Sequence, residues 1–322
     1  VPATPAGVTV KMGVSSAPVI TWTLPRVADI LDKPRATVVN EEFIARRARL
    51  IEDTLASFGA PGNVVEVSRG PAVTMFGVEP QFVESRGGPM RVRVGKIAAL
   101  SDDLALALAV QRIRIQAPVP GRGFIGIEVP NEEMSLVALR EVVESDAFAR
   151  GKMPLRFALG KDVAGRPKAA NLEAMPHLLI AGTTGSGKSV CVNSILSCLL
   201  IHNTPEDLRL ILVDPKRVEL TGYNGVPHLL APVVVEIERV IGALQWMTRE
   251  MDNRYHKFAE LGARNINDYS TRLAAQGGRK LPYLVAVIDE LSDLMILAPD
   301  ETERCISRLA QLARATGIHL IL

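Results

Sequence analysis

The sequence predicts an α/β fold: a doubly wound parallel sheet in the second half, preceded by a smaller α+β unit. Three observations carry this expectation. From His177 onward, short apolar runs alternate with long helical patterns, the rhythm of a parallel sheet with crossover helices. Between two such runs lies a complete G-x-x-x-x-G-K-[ST] loop, Gly182-Thr-Thr-Gly-Ser-Gly-Lys188-Ser189. Before residue 161 the strands are short, separated by Gly/Pro/Ser turns and interrupted by two helices.

In chain order, residues 1–36 are rich in Pro, Ala, Val and Thr without a sustained period, and read as a linker or disordered lead-in. A helix is expected from Asn40 or Glu41 to Phe58, with Phe43, Ile44, Leu50, Ile51 and Leu55 on its apolar face and Gly59-Ala-Pro-Gly62 as its stop. Strands follow at 64–67, 72–78 and 91–94, a helix at 96–110, strands at 112–116 and 124–129, a helix at 132–145 and a strand at 155–159. The polar stretch Gly160–Lys168 reads as a hinge. Beyond it come a buried strand 177–181, a helix through Val190–Ile201 packed on both sides, and a strand 208–213. A long helix 237–261, a strand 283–288, a helix 301–315 and a final apolar run 318–322 complete the alternation. That last run opens a strand and stops, so the chain is expected to continue beyond it.

A chain of 322 residues accommodates two domains. Its net charge of +2 supplies no global field for a polyanion, so nucleic-acid contacts must come from local patches. No stretch reaches the roughly 20 uninterrupted apolar residues of a membrane span; the run 283–298 is broken by Asp289, Glu290 and Asp293. There is no signal peptide at the start, and a cytoplasmic setting is expected. Cys191, Cys198 and Cys305 read as core thiols of a reducing compartment, and the five histidines form no ligand cluster.

The chemistry points to a nucleoside triphosphate. Glycines at 182, 185 and 187 let backbone N–H groups converge on phosphate oxygens at a helix N-terminus. The loop as a whole, Gly182, Thr183, Thr184, Gly185, Ser186, Gly187, Lys188 and Ser189, is the expected cradle. Lys188 supplies a cation to the β- and γ-phosphates of ATP, and the Ser189 hydroxyl is a ligand for Mg²⁺. Two strands end in aspartate, at Asp214 and Asp289. Either could orient the metal, and Asp289 is preferred because Glu290 follows it and can polarise the attacking water. The pair favours hydrolysis over transfer to a small substrate. Arg304, Arg308 and Arg314 are candidates for an arginine acting on a neighbouring subunit's γ-phosphate.

These residues carry a resemblance. The segment Met175–Val190, Val213-Asp-Pro-Lys-Arg-Val-Glu-Leu220, Gly225-Val-Pro-His-Leu-Leu230 and Arg264-Asn-Ile-Asn-Asp-Tyr269 resemble, in order, the motor of the FtsK/SpoIIIE DNA translocases. So do the segments Val287–Met295 and Ala313–Leu320 and, in the first half, Asp102–Leu108, Gly126–Asn131 and Leu159–Gly165. The resemblance runs from about residue 41 to 322. It implies an α subdomain over about 37–160 and a RecA-like P-loop β subdomain over about 161–322, incomplete at its C-terminus. It also implies a hexameric ring around double-stranded DNA, with ATP hydrolysis driving movement during bacterial chromosome segregation at division or sporulation. Arg314 takes the position of the trans-acting arginine. The family's membrane-spanning N-terminal region and its C-terminal winged helix have no counterpart here, so the parent protein is expected to carry any tether to the inner cell membrane. The connection 81–90 is longer than is usual in the family. DNA contacts are sought at Arg264, Asn265 and 272–280. Two other readings stay open: a ring ATPase coupling conjugation or secretion, and a nucleotide-switched scaffold that hydrolyses little.

Overall fold

The computed structural model describes residues 21–34, 40–85, 88–151 and 153–322. Most of the expected lead-in therefore lies outside the described residues. The exceptions are residues 21–34, which contain one short turn of helix, α1 (Val27–Ile30).

The first unit is a four-stranded antiparallel sheet with helices on one face. α2 (Glu41–Ser57) starts where Asn40 accepts the backbone N–H of Phe43, a side-chain N-cap that satisfies one of the helix's free donors. It is followed by β1 (Gly62–Arg69), β2 (Val73–Pro80), the hairpin β3 (Phe82–Ser85) and β4 (Gly88–Arg91), α3 (Val94–Ala98), α4 (Ser101–Ala107), β5 (Arg114–Gln116) and β6 (Ile125–Pro130). The sheet order is β1-β2-β6-β5. Ile51 and Leu55 from α2, Ile97 and Leu104 from α3 and α4, and Phe76, Val78, Ile125, Ile127 and Val129 from the sheet form its core.

Two expected helices are shorter than their sequence pattern. The run 96–110 breaks into α3 and α4, because Ser101-Asp102-Asp103 begins a fresh helix whose first turn is acidic. Residues 132–138 are not helical: the N–H groups of Asn131 and Ser135 go to the carbonyls of Ala72 and Pro71, so the backbone bonds the β1–β2 turn instead. Helix resumes as α5 (Leu139–Val143) and α6 (Asp146–Ala149). Of the expected strand 91–94 only Arg91 lies in a strand, as the last residue of β4, and Val94 already begins α3.

The segment read as a hinge is the turn of a hairpin, β7 (Arg156–Lys161) with β8 (Pro167–Asn171). Its Asp162 carboxylate accepts the N–H groups of Ala164 and Arg166, which closes the turn. That turn lies against the end of β1. A Cβ on Gly165 would collide with the Arg69 carbonyl, and one on Gly70 with the Val163 carbonyl, so the two backbones meet at glycines.

The parallel sheet comprises β9 (Leu208–Val213), β10 (Tyr283–Ile288) and β11 (Ile318–Ile321), with β10 in the centre. Every residue of β10 is buried. Its alternate side chains divide between two cores. Tyr283, Val285 and Val287 face α7 (Lys188–His202) and α9 (Ile266–Ala275), while Leu284, Ala286 and Ile288 face α8 (Ile237–Leu261), α10 (Leu291–Leu297) and α11 (Pro299–Leu312). Helices on both faces explain why the strands read as unbroken apolar runs. α7 is packed on both sides, as expected, with the sheet below it and the β7–β8 hairpin above it.

The lead-in to the phosphate loop differs from the expected buried strand. Leu178 donates to Leu320, Ile180 donates to Leu322, and Leu322 donates back to Leu178, a parallel ladder at the sheet edge. Only one side of that edge is covered, so Leu179 is 69% exposed.

Candidate nucleotide site

The loop Gly182–Gly187 joins this edge segment to α7, and its geometry follows from its glycines. Gly185 and Gly187 have φ of 78° and 98°, in the left-handed region that favours glycine. Gly187 caps α7, whose first residue is Lys188. A Cβ at Gly182 would strike the Ser186 side chain. The helix therefore begins at the lysine, and its unpaired N–H groups and positive dipole end open towards whatever the loop encloses.

That space is a cavity of about 480 Å³, within the range of small-ligand sites. Thr183, Thr184, Gly185, Gly187, Lys188, Ser189 and Val190 line one side. Lys216, Val218 and Glu219 from the turn after β9, and Asp289 and Glu290 from the end of β10, line the other. The register between β9 and β10 places Val213 beside Ile288, so the two strand-end aspartates are neighbours.

The structure gives those aspartates different tasks. Asp214 is fully buried, and its Oδ2 accepts the N–H groups of Glu219 and Leu220 at 3.0 and 2.9 Å, which folds the turn carrying Lys216. Asp289 stays on the cavity wall. Its carboxyl is pushed up, first by burial and then by the negative charges of Asp214, Glu219 and Glu290. The Asp214 Oδ1 atom is buried without a hydrogen-bond partner. An acidic wall of this kind suits a cation.

Glu290 is held in the opposite direction, below the usual carboxylate range. The Ser292 hydroxyl donates to Oε1 at 2.7 Å, and the Lys216 ammonium lies 3.3 Å from Oε2. Lys188 Nζ approaches the same Oε2 at 3.8 Å, and Lys216 also pairs with Asp293 at 3.6 Å. Glu290 is therefore an ionised carboxylate on the cavity wall. Lys216 on the cavity wall, and Ser292 and Asp293 behind it, are not singled out by the sequence pattern. The available signal was the Asp-Pro-Lys sequence at the end of the strand next to the Asp-Glu pair.

Arg314 does not line this cavity. It is exposed in the 3₁₀ turn Ala313–Thr316 and makes no ion pair among the described residues. Arg308 is tied to Asp252 of α8 through both carboxylate oxygens at 3.0 Å, while Arg304 is exposed.

The residues sought for DNA contact lie near the opposite end of the sheet. Asn265 caps α9 by accepting the N–H groups of Asn267 and Asp268. Arg272 pairs with Asp268 at 2.8 Å, and Lys280 pairs with Asp207. A second cavity there, of about 340 Å³, brings Arg156, His202, Asp207, Lys280 and Tyr283 together.

Among the described residues no group of three or more His, Cys, Asp or Glu converges on a metal position. The Ser189 hydroxyl and the Asp289 carboxylate, both on the cavity wall, are oxygen donors of the kind that would hold Mg²⁺. Burial raises the Cys191 and Cys198 thiols, as core-filling residues require.

Residues 138–322 match the model of the FtsK/SpoIIIE family, and residues 24–131 match that of the FtsK alpha domain. The chain is 45% identical to DNA translocase FtsK of Clostridium tetani over 316 residues, covering 97% of this chain and 41% of that protein. It is 47% identical to DNA translocase SftA of Bacillus subtilis, covering 93% and 31%, and 49% identical to DNA translocase FtsK of Bacillus cereus, covering 91% and 37%. The chain thus spans well under half the length of these relatives. Among solved structures, the pCW3 conjugation coupling protein TcpA, in a monomer form with ATPγS, aligns with a TM-score of 0.47 at 23% identity, over 86% of this chain and 76% of that one.

Proposed function

The chain belongs to the FtsK/SpoIIIE family, and from that premise we propose that it is the motor region of an ATP-driven double-stranded DNA translocase. The observation that carries the reading is the single cavity shared by the phosphate loop and the Asp289–Glu290 pair. Helix-start amides and Lys188 bind the triphosphate, and Ser189 and Asp289 hold Mg²⁺, which neutralises phosphate charge. Glu290, ionised at neutral pH, takes a proton from the attacking water. The names of the relatives supply the polymer: they are DNA translocases. A role in bacterial chromosome segregation is proposed with it.

A hexameric ring, with Arg314 reaching the site of a neighbouring subunit, is part of the proposal. Its support is the exposed position of Arg314 away from its own cavity, with no ion pair to it among the described residues. A cytoplasmic setting is likewise proposed; no helix among the described residues is long and apolar enough to cross a membrane. The proposed organisation is an α unit followed by a motor unit, expected to divide at 160/161. Val142, Val143, Phe148 and Leu155 share a core with α7, which favours assigning 139–160 to the motor.

The test is turnover by the full-length protein with single substitutions. Lys188→Ala is expected to lose nucleotide binding and hydrolysis together. Glu290→Gln is expected to keep binding and lose at least about 100-fold in kcat, the scale of a removed general base. Undiminished hydrolysis in both variants contradicts the assignment of the site.

A further inference from the structure

We propose that Lys216 is the positioning residue for Glu290, holding the water-activating carboxylate in place when Lys188 turns to the nucleotide. The inference rests on the ATPase reading above.

The two oxygens of Glu290 are used differently. Oε1 accepts from Ser292, while Oε2 is shared by two ammonium groups, Lys216 at 3.3 Å and Lys188 at 3.8 Å. A triphosphate in the loop competes for Lys188, since β- and γ-phosphate oxygens are its preferred partners. Lys216 is then the remaining cation on Oε2. Its other partner, Asp293, sits in the first turn of α10, whose N-cap is Glu290 itself, so the lysine bridges the two acids and fixes the start of that helix.

The turn that carries Lys216 is built for placement. Its backbone closes on the buried Asp214 carboxylate, Arg217 donates its N–H to the Asp214 carbonyl at 3.1 Å, and Arg217 has a left-handed φ of 58°. A non-glycine residue in that region is strained, and persists where the surrounding structure over-determines it. Lys216 itself contributes little to packing, because half of its side chain is exposed. Its ion pairs among the described residues are with two acids, Glu290 and Asp293.

The experiment uses the full-length protein with Lys216→Met, Lys216→Arg, Glu290→Gln and the Lys216→Met/Glu290→Gln double variant, in ATPase assays and in binding of a fluorescent ATP analogue. Lys216→Met is expected to lower kcat about tenfold or more while the nucleotide dissociation constant stays within about twofold, and Lys216→Arg to recover most of the rate. The double variant is expected to be no slower than Glu290→Gln alone, because Lys216 acts through that carboxylate. Three results overturn the inference: an unchanged kcat in Lys216→Met, nucleotide binding weakened in proportion to the rate, which places Lys216 on phosphate, or a further multiplicative loss in the double variant. Absence of hydrolysis by the unsubstituted protein would instead remove the ATPase reading itself.

Discussion

At the residue scale, two adjacent carboxylates with opposite electrostatics define the site. Glu290 is kept ionised by Ser292 and Lys216, whereas Asp289 is crowded by burial and by Asp214, Glu219 and Glu290. An ionised Asp289 beside these acids therefore costs stability. Asp289→Asn is expected to abolish turnover yet raise stability, by about 1 kcal/mol at most given the solvent access of the cavity. Urea unfolding at neutral pH measures it, and a destabilised variant would contradict the crowding. Much of this was legible in the sequence. Gly182–Ser189 and Asp289–Glu290 are local patterns that stand out in the sequence by themselves, and the structure brings both to one cavity wall. Lys216 was not, because its partnership with Glu290 arises only from the lateral pairing of β9 with β10 across 74 residues of chain. Local pattern cannot report a long-range register.

At the scale of elements, the long apolar-patterned pieces were the readable ones. β9, β10 and α8 fall where the sequence places them, because burial on both faces or along one long face leaves an uninterrupted signal. The short helices of the first unit were misjudged where tertiary hydrogen bonds overrode propensity, as at Asn131 and Ser135. The hinge reading failed because Gly and Pro mark a tight hairpin turn as readily as a flexible link. That turn touches the end of β1 through Gly70 and Gly165, and Gly165 has φ of 77°. Gly165→Ala is expected to destabilise the protein by roughly 1–3 kcal/mol, from the collision with the Arg69 carbonyl together with the left-handed φ. Thermal unfolding checks it; a neutral substitution would mean that the contact yields freely.

For the whole molecule, acid sensitivity follows from histidines that the core holds uncharged. His319 is buried, donates from Nδ1 to the Pro176 carbonyl at 2.6 Å, and has its pKa lowered from 6.5 to about 4, chiefly by burial. His177, His202 and His228 are also held low by burial. For a depressed histidine the unfolded chain takes the proton first, so stability is retained above pH 6.5 and lost as pH falls towards 4. His319 alone contributes about 3 kcal/mol of that loss. His319→Gln is expected to flatten the slope of stability against pH in that window, and an unchanged slope would contradict the buried, neutral state. The proposed ring would make a further demand, that Arg314 of one subunit complete the site of the next. Mixing Arg314→Ala with Lys188→Ala subunits is expected to restore part of the activity in rings that contain both; no recovery with assembly intact would remove Arg314 from the neighbouring site. The proposed motor turns ATP hydrolysis into movement along duplex DNA. The test is ATP hydrolysis by the full-length protein, measured with and without duplex DNA alongside displacement of a third strand bound to that duplex. Faster hydrolysis with DNA is expected, together with displacement that requires ATP and is lost in Glu290→Gln. An ATPase rate indifferent to DNA, with no displacement, would contradict it.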